Sequence, residues 1–357
     1  MQLGASAFFV KPETSAERRE FYQRLEQKNA APLWEVLGDL ISVQPRTAAG
    51  ATLWHYQEMR SLLLEAGRLI TAKEAERRVL VLENPSMRGS SQITQSLYAG
   101  LQLVLPGETT PAHRHAASAL RFVIESESGY TAVEGERTTM HPGDLVLTPS
   151  WSYHDHGNPR HDNAGDAPVI WLDGLDIPIV NLFGASFAEH YSNDMHPVGR
   201  AEGDAQARYG ENLLPLEYKP GALSSPVFTY SYARSREALD RLYRNGPVHG
   251  CHGVKMQYAN PATGGYPMPT IGAWLQLLPA SFSGEAYRST DAAVYCVAEG
   301  AGRSQVGDTT FDWRKNDVFV VPSWYPVSHQ THGEAVLFSF SDRPAQKALG
   351  LWREESR

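Results

Sequence analysis

Residues 143–158 read Gly143-Asp144-Leu145-Val146-Leu147-Thr148-Pro149-Ser150-Trp151-Ser152-Tyr153-His154-Asp155-His156-Gly157-Asn158. A glycine turn leads into a short apolar run, a proline closes it, and two histidines come next, one residue apart. A brief apolar run bounded by turn residues is the pattern of a buried strand. The first half of the stretch recurs as Asp317-Val318-Phe319-Val320-Val321-Pro322-Ser323-Trp324. Two other motifs recur with it. Leu101-Gln102-Leu103-Val104-Leu105-Pro106 is echoed by Ala273-Trp274-Leu275-Gln276-Leu277-Leu278-Pro279, and Val123-Ile124-Glu125-Ser126 by Val297-Ala298-Glu299-Gly300. Glu125 and Glu299 lie 174 residues apart, Pro149 and Pro322 lie 173 apart. A near-constant offset over separate motifs indicates two copies of one β domain.

Around these copies the chain changes character in steps. Residues 1–90 read as a helical segment. Thr14-Ser15-Ala16-Glu17 has the form of a capping box opening a helix over 14–29, with Phe21, Tyr22 and Leu25 on one face. A packed short element is expected over 32–37, and a second helix over 56–66. Residues 91–182 hold many short apolar runs separated by Pro106-Gly107, Glu134-Gly135 and Pro142-Gly143, as in an antiparallel sandwich or barrel. Residues 183–250 read as a linker and then a helix over 235–244, closed by Asn245-Gly246. Residues 251–357 hold the second β copy.

The bulk properties narrow the function. The 357 residues, 42% hydrophobic and 20% charged, suit a soluble chain with a sizeable core. A net charge of −8 without a basic stripe argues against a nucleic-acid partner. No apolar run approaches a membrane span, and the N-terminus lacks a signal pattern. Cys251 and Cys296 are the only cysteines, which fits a reducing cytoplasm.

Chemistry concentrates in the histidines. His113-Arg114-His115 and His154-Asp155-His156 are two clusters about forty residues apart. Three neutral imidazoles meeting at one point hold a divalent first-row metal. The competing reading is that such pairs are ordinary hydrogen-bonding histidines on strands. His141 and His161 fall in turn-like segments and are expected in solvent.

Gly107, then after five residues His113-Arg114-His115, resembles the first cupin motif. Gly143, Pro149, His154 and Asn158 resemble the second. The resemblance implies a mainly β fold: two cupin (jelly-roll) barrels in one chain with an N-terminal helical segment, the 91–182 barrel carrying the metal and the 251–357 barrel without one. The glutamate that usually comes after the second histidine is missing, its positions being Ala119 and Leu120. That leaves a three-histidine site of His113, His115 and His154, with open positions for reactants. Counted from Glu299, the second copy has Tyr287-Arg288-Ser289 and Val327 where the ligands would stand. His329, opposite His156, is left without ligand partners.

Longer stretches resemble the bicupin gentisate 1,2-dioxygenases and their salicylate and 1-hydroxy-2-naphthoate relatives. They include Ala31-Pro32-Leu33-Trp34-Glu35, Glu76-Arg77-Arg78-Val79-Leu80, Leu97-Tyr98-Ala99-Gly100-Leu101-Gln102, Trp171-Leu172-Asp173-Gly174-Leu175-Asp176-Ile177-Pro178 and Asn260-Pro261-Ala262-Thr263-Gly264-Gly265-Tyr266-Pro267-Met268-Pro269-Thr270. This resemblance implies one Fe(2+) per chain in the N-terminal cupin, and ring cleavage of a small aromatic carboxylate by O2, giving maleylpyruvate from gentisate. It also implies a homotetramer.

If His113 and His115 face the barrel interior, strand alternation turns Arg121 inward too, where its fork would meet a carboxylate. An internal ion pair with Glu125 or Asp173 is the alternative. Arg77 is a second candidate cation, or else a surface or intersubunit residue. The resemblance gives His156 a substrate contact and a possible proton relay, and places Tyr98 and Asp173 at the pocket. The tyrosine at 98 favours gentisate over salicylate. A metal-dependent cupin isomerase would call for a carboxylate ligand and a more polar pocket. A non-enzymatic bicupin would call for an added DNA-binding or secretion segment.

Overall fold

The computed structural model describes residues 15–160, 167–218 and 223–356. The chain divides into two compact units, residues 1–46 and 47–357. In the first, helices Ala16–Glu26 and Leu33–Leu40 are joined by a short turn. Ser15 is the N-cap, its hydroxyl accepting from the Arg18 N–H. Thr14, the other half of the expected cap, lies outside the described residues, as does His161. Tyr22 donates to Glu35 at 2.5 Å and accepts from Trp34 Nε1 at 2.8 Å, which pins the two helices together.

The second unit holds two β-sandwich barrels, each a six-stranded sheet over a five-stranded one. In the first barrel the six-stranded sheet runs, in spatial order, Thr229–Tyr230, Leu145–Thr148, Ala119–Glu125, Val169–Leu175, Tyr98–Val104 and Val79–Val81. Its partner runs Ala188–His190, Thr109–His115, His154–Gly157, Tyr130–Val133 and Glu136–Thr139. The second barrel repeats the plan, and every pairing within the named strands of both is antiparallel.

The repeat extends further than the sequence echoes. Thr52–Trp54, from the segment read as helical, pairs with Val318–Val320 at the edge of the second barrel. Thr229–Tyr230, from the segment read as a linker, pairs with Leu145–Val146 at the edge of the first. Each edge strand leads into a 14-residue helix, Tyr56–Leu69 and Tyr232–Asn245. Tyr56 N–H donates to Asp317 and its hydroxyl to Glu125, which Arg60 also holds. Tyr232 N–H donates to Asp144 and its hydroxyl to Glu299, which Arg236 also holds. Each helix start thus binds both barrels, and the two latches are copies of one another.

Alternation along the strands sends odd and even residues to opposite faces. The outer faces of the two six-stranded sheets meet in one large apolar core that includes Leu103, Leu120, Phe122, Leu172, Leu275, Cys296, Val320 and Phe338. Phe122 and Phe338 stack across it with centroids 4.2 Å apart. The inner faces line the barrel interiors. The second interior is packed by Trp313, Phe319, Phe311, Val306 and nine further buried residues. The first has a smaller apolar floor of Val104, Val123, Met140, Val146, Val169 and Trp171. The rest of that interior is polar. No helix among the described residues is long and apolar enough to cross a membrane.

Candidate metal centre

His113 and His154 are direct partners across two antiparallel strands of the first barrel. His115 lies two residues along, on the same face of its strand. Ring centroids stand 4.2 Å apart for His113 and His154, 5.0 Å for His115 and His154, and 5.2 Å for His113 and His115. One ring nitrogen from each lies within 4.8 Å of the others, and no carboxylate among the described residues joins the group. Ala119 and Leu120 are buried and bring no oxygen to it.

Local backbone fixes the tautomers. His115 Nδ1 donates to the Ala117 carbonyl at 2.7 Å and His154 Nδ1 to the Ser152 carbonyl at 2.9 Å. His113 differs, its Nδ1 facing the Arg77 guanidinium. A donor role at Nδ1 leaves the Nε2 lone pair for a metal. Burial, with Arg77 and His115 alongside, drives His113 down to about 2. Burial with Arg121 nearby holds His154 well below the ordinary imidazole range, and His115 is lowered chiefly by burial. Three neutral imidazoles in a cationic, partly dry pocket are a donor set that suits a divalent first-row cation.

The outside of the ligand strand is clamped. Arg114, between the two histidines, faces away from them. Its guanidinium lies 4.4 Å from the ring centroids of both Trp151 and Tyr153 and pairs with Glu189. Trp151 N–H donates to the His115 carbonyl at 2.9 Å. The second barrel keeps this clamp: Arg288 covers Trp324, pairs with Glu355, and Trp324 N–H donates to the Ser289 carbonyl. There Tyr287 pairs with Val327, as His113 pairs with His154. The clamp is common to both barrels, while the ligand histidines occur in the first alone. His329 is buried with Nδ1 2.7 Å from Ser304 Oγ, an internal hydrogen bond.

Arg121 is buried at 3% exposure on the strand facing the histidines. Its Nη1 donates to Thr148 Oγ1 at 2.5 Å. Asp173 Oδ1 lies 3.5 Å from its Nε, an ion-pair distance without hydrogen-bond geometry, so Nε has no hydrogen-bond partner. Glu125, the other carboxylate considered, is taken by Arg60 and Tyr56. Asp173 accepts from Trp171 Nε1 at 2.8 Å, and burial raises it to about 6 against the pull of Arg121. Arg77 also turns inward. It donates to the Pro111 carbonyl at 2.5 Å and touches His113 Nδ1, while its neighbour Arg78 is buried in a bidentate pair with Glu108. Burial, with Arg121 close by, lowers Arg77 to about 10.

His156 is buried, with Nδ1 2.9 Å from Thr131 Oγ1 and its ring 5.2 Å from Trp171. Burial and Arg121 hold it neutral as well. Tyr98 begins the strand that carries Gly100 and Gln102, and a Cβ at Gly100 would stand 3.1 Å from its hydroxyl. His141 is 69% exposed in its side chain and separate from the site. Sequence reading passed over Gln102, buried on the same strand face as Tyr98, with an Nε2 that has no partner. Its signal was an amide kept inside both echoed apolar runs, as Gln102 and Gln276. It also passed over His196, which links the supposed linker to the Asp155 carboxylate at 2.6 Å.

The cupin domain family matches residues 100–175. The chain is 53% identical to gentisate 1,2 dioxygenase 1 of Aquipseudomonas alcaligenes, over 98% of this chain and 99% of that one. It is 36% identical to 5-aminosalicylate 1,2-dioxygenase of a Comamonas species, over 94% and 89%. Among solved structures, salicylate 1,2-dioxygenase from Pseudoaminobacter salicylatoxidans, in adducts with gentisate, superposes with a TM-score of 0.90 at 33% identity, covering 98% and 96% of the two chains.

Proposed function

The chain belongs to the gentisate 1,2-dioxygenase family of ring-cleaving cupin dioxygenases, and from that footing we propose that it opens gentisate with O2 to give maleylpyruvate. The bond broken joins the carboxyl-bearing and 2-hydroxyl-bearing ring carbons, and both oxygen atoms enter the product. The observation that carries the reading is the meeting of three neutral imidazoles with a buried, incompletely bonded arginine in one barrel interior.

We assign His113, His115 and His154 to one Fe(2+). Bound there, iron would supply a Lewis-acidic centre through which an electron-rich ring can pass electrons to dioxygen. The remaining work falls to side chains. Arg121 receives the substrate carboxylate, its free Nε and planar fork suiting two oxygens at once. Arg77, lying against the histidines, adds positive charge where the phenolate binds. Asp173, 3.5 Å from Nε, holds Arg121 in position while leaving that N–H without a hydrogen-bond partner. His156, fixed through Nδ1 to Thr131, presents the rest of its ring to the interior. There we assign it a hydrogen bond to a ring hydroxyl, through which a proton can be relayed. Tyr98 borders the pocket and limits what fits beside the ring.

We further propose a homotetramer, supported by large apolar side chains that this chain leaves in water: Leu182, Phe183, Leu213, Leu216 and Leu223. A cytoplasmic location is supported by two buried, unpaired cysteines.

The deciding experiment adds gentisate, 5-aminosalicylate, salicylate or 1-hydroxy-2-naphthoate to iron-loaded enzyme in air and monitors ring-opened product. Gentisate should turn over fastest, with one O2 consumed per ring. Equal rates on salicylate would replace the gentisate reading with a broad-range one. Bound iron with no turnover on any of the four would overturn the assignment.

A further inference from the structure

The interior of the second barrel holds a charge that its own residues leave unbalanced. Lys255, on the Val254–Gln257 strand, lies opposite Gln276 in register. Its ammonium stands 5.6 Å from the ring centroids of both Trp274 and Tyr295. Among the described residues it makes no ion pair and no hydrogen bond. The cavity it borders has a single carboxylate in its wall, Asp291. That group is already committed: it accepts from Arg343 Nε at 3.1 Å, Ser341 Oγ at 2.6 Å and Trp352 Nε1 at 2.8 Å. Arg343 and Asp291 cancel, and Arg288, also in the wall, is paired with Glu355 at 2.6 Å, so the cavity retains the lysine charge.

Other polar atoms there also lack partners. The Ser339 hydroxyl, on the cavity wall, is buried and unbonded; both amide atoms of Gln276, opposite Lys255 in register but outside the cavity wall, are unbonded too. A half-buried cation without an ion-pair partner and unmet hydrogen-bonding groups are each costly, and both costs fall if an anion sits between them. The free volume is about 20 Å³, close to the space of one water-sized centre. An aromatic acid does not fit it.

We propose that the second barrel binds one small monovalent anion, chloride in size and no larger than formate, in the cavity bordered by Lys255, Arg343 and Ser339. The duplicated interior would then place a fixed ammonium where the first copy uses arginines and a metal to receive an anion. Burial and the neighbouring Arg343 lower Lys255 to about 7, and a bound anion would favour its charged form.

Full-length metal-loaded enzyme, dialysed into gluconate, is compared at equal ionic strength in chloride, bromide and formate. Chloride, bromide and formate should each raise Tm by a few degrees over gluconate. Crystals grown in bromide should show one anomalous peak beside Lys255. Lys255→Met should lose the anion response while keeping its metal content and turnover. Equal Tm in all four salts, together with no bromide peak in the second barrel, would overturn the proposal. So would a Lys255→Met protein that responds to anions as the wild type does. If that variant does not fold, the bromide peak in the wild-type crystal decides the question alone.

Discussion

Tyr56 donates its hydroxyl to Glu125 at 2.6 Å, while the backbone N–H of the same residue donates to Asp317 at 2.8 Å on the other barrel. One residue at a helix start therefore ties the two halves together, and Tyr232 does so again from the other side with Glu299 and Asp144. Tyr56→Phe removes one hydrogen bond to a carboxylate that Arg60 still holds. It should cost about 1 kcal/mol in urea unfolding of the metal-free protein. Tyr232→Phe should cost a similar amount. The two latches share no residue, so the double variant should be additive to within about 0.5 kcal/mol. Unchanged stability in both single variants would show that the hydroxyls do not hold the barrels together.

Removing one imidazole should empty the metal centre. His154→Ala is expected to reduce bound iron from about one per chain to less than a tenth, measured by elemental analysis after gel filtration. His329→Gln, in the second barrel, should leave iron content unchanged. Iron retained by the first variant, or lost by the second, would misplace the site.

Arg121→Gln should keep its iron and raise KM for gentisate by about tenfold to a hundredfold, the 1–3 kcal/mol range of a lost charged hydrogen bond. Arg121→Lys should recover only part of this, because an ammonium lacks the planar fork. A KM unchanged in the glutamine variant would remove the carboxylate role.

The metal-free protein should weaken in mild acid. His113, His154 and His156 are all held below their ordinary range, His113 down to about 2. Between about pH 6.5, where the unfolded histidines begin to protonate, and pH 2, the unfolded chain binds more protons than the folded one. Stability is then complete above 6.5 and falls as the pH drops. Urea midpoints measured from pH 8 to pH 5 should decline, and the triple variant His113→Gln, His154→Gln, His156→Gln should decline less.

The duplicated barrels and the histidine pairs were legible because each rests on a short local pattern. Strand alternation, turn residues and a repeated Pro-Ser-Trp carry that information without any knowledge of distant contacts. The inward turn of Arg121 came from the same alternation. The edge strands Thr52–Trp54 and Thr229–Tyr230 were not legible. With three and two residues they are too short for a period, and they exist because a neighbouring sheet offers unpaired backbone. Arg77 and Arg78 stand side by side in the sequence, and nothing local says that one meets His113 while the other meets Glu108. Gln102 needed the opposite insight, that a polar residue in a buried run stays because something must meet it.

The pairing of Thr52 with Val320 sets a timing problem for synthesis. The two residues leave the ribosome 268 positions apart, which at ordinary elongation rates is about 15 to 50 s. For that interval the early strand has no sheet to join, and the first barrel likewise waits for Thr229 and Tyr230 to reach its open edge. The second barrel cannot be finished from its own segment, so a chain cut at about residue 250 would leave it without the edge strand Thr52–Trp54. The dependence runs the other way as well: discarding the second barrel would strip the cover from the apolar face that Leu120, Phe122 and Leu172 present to it.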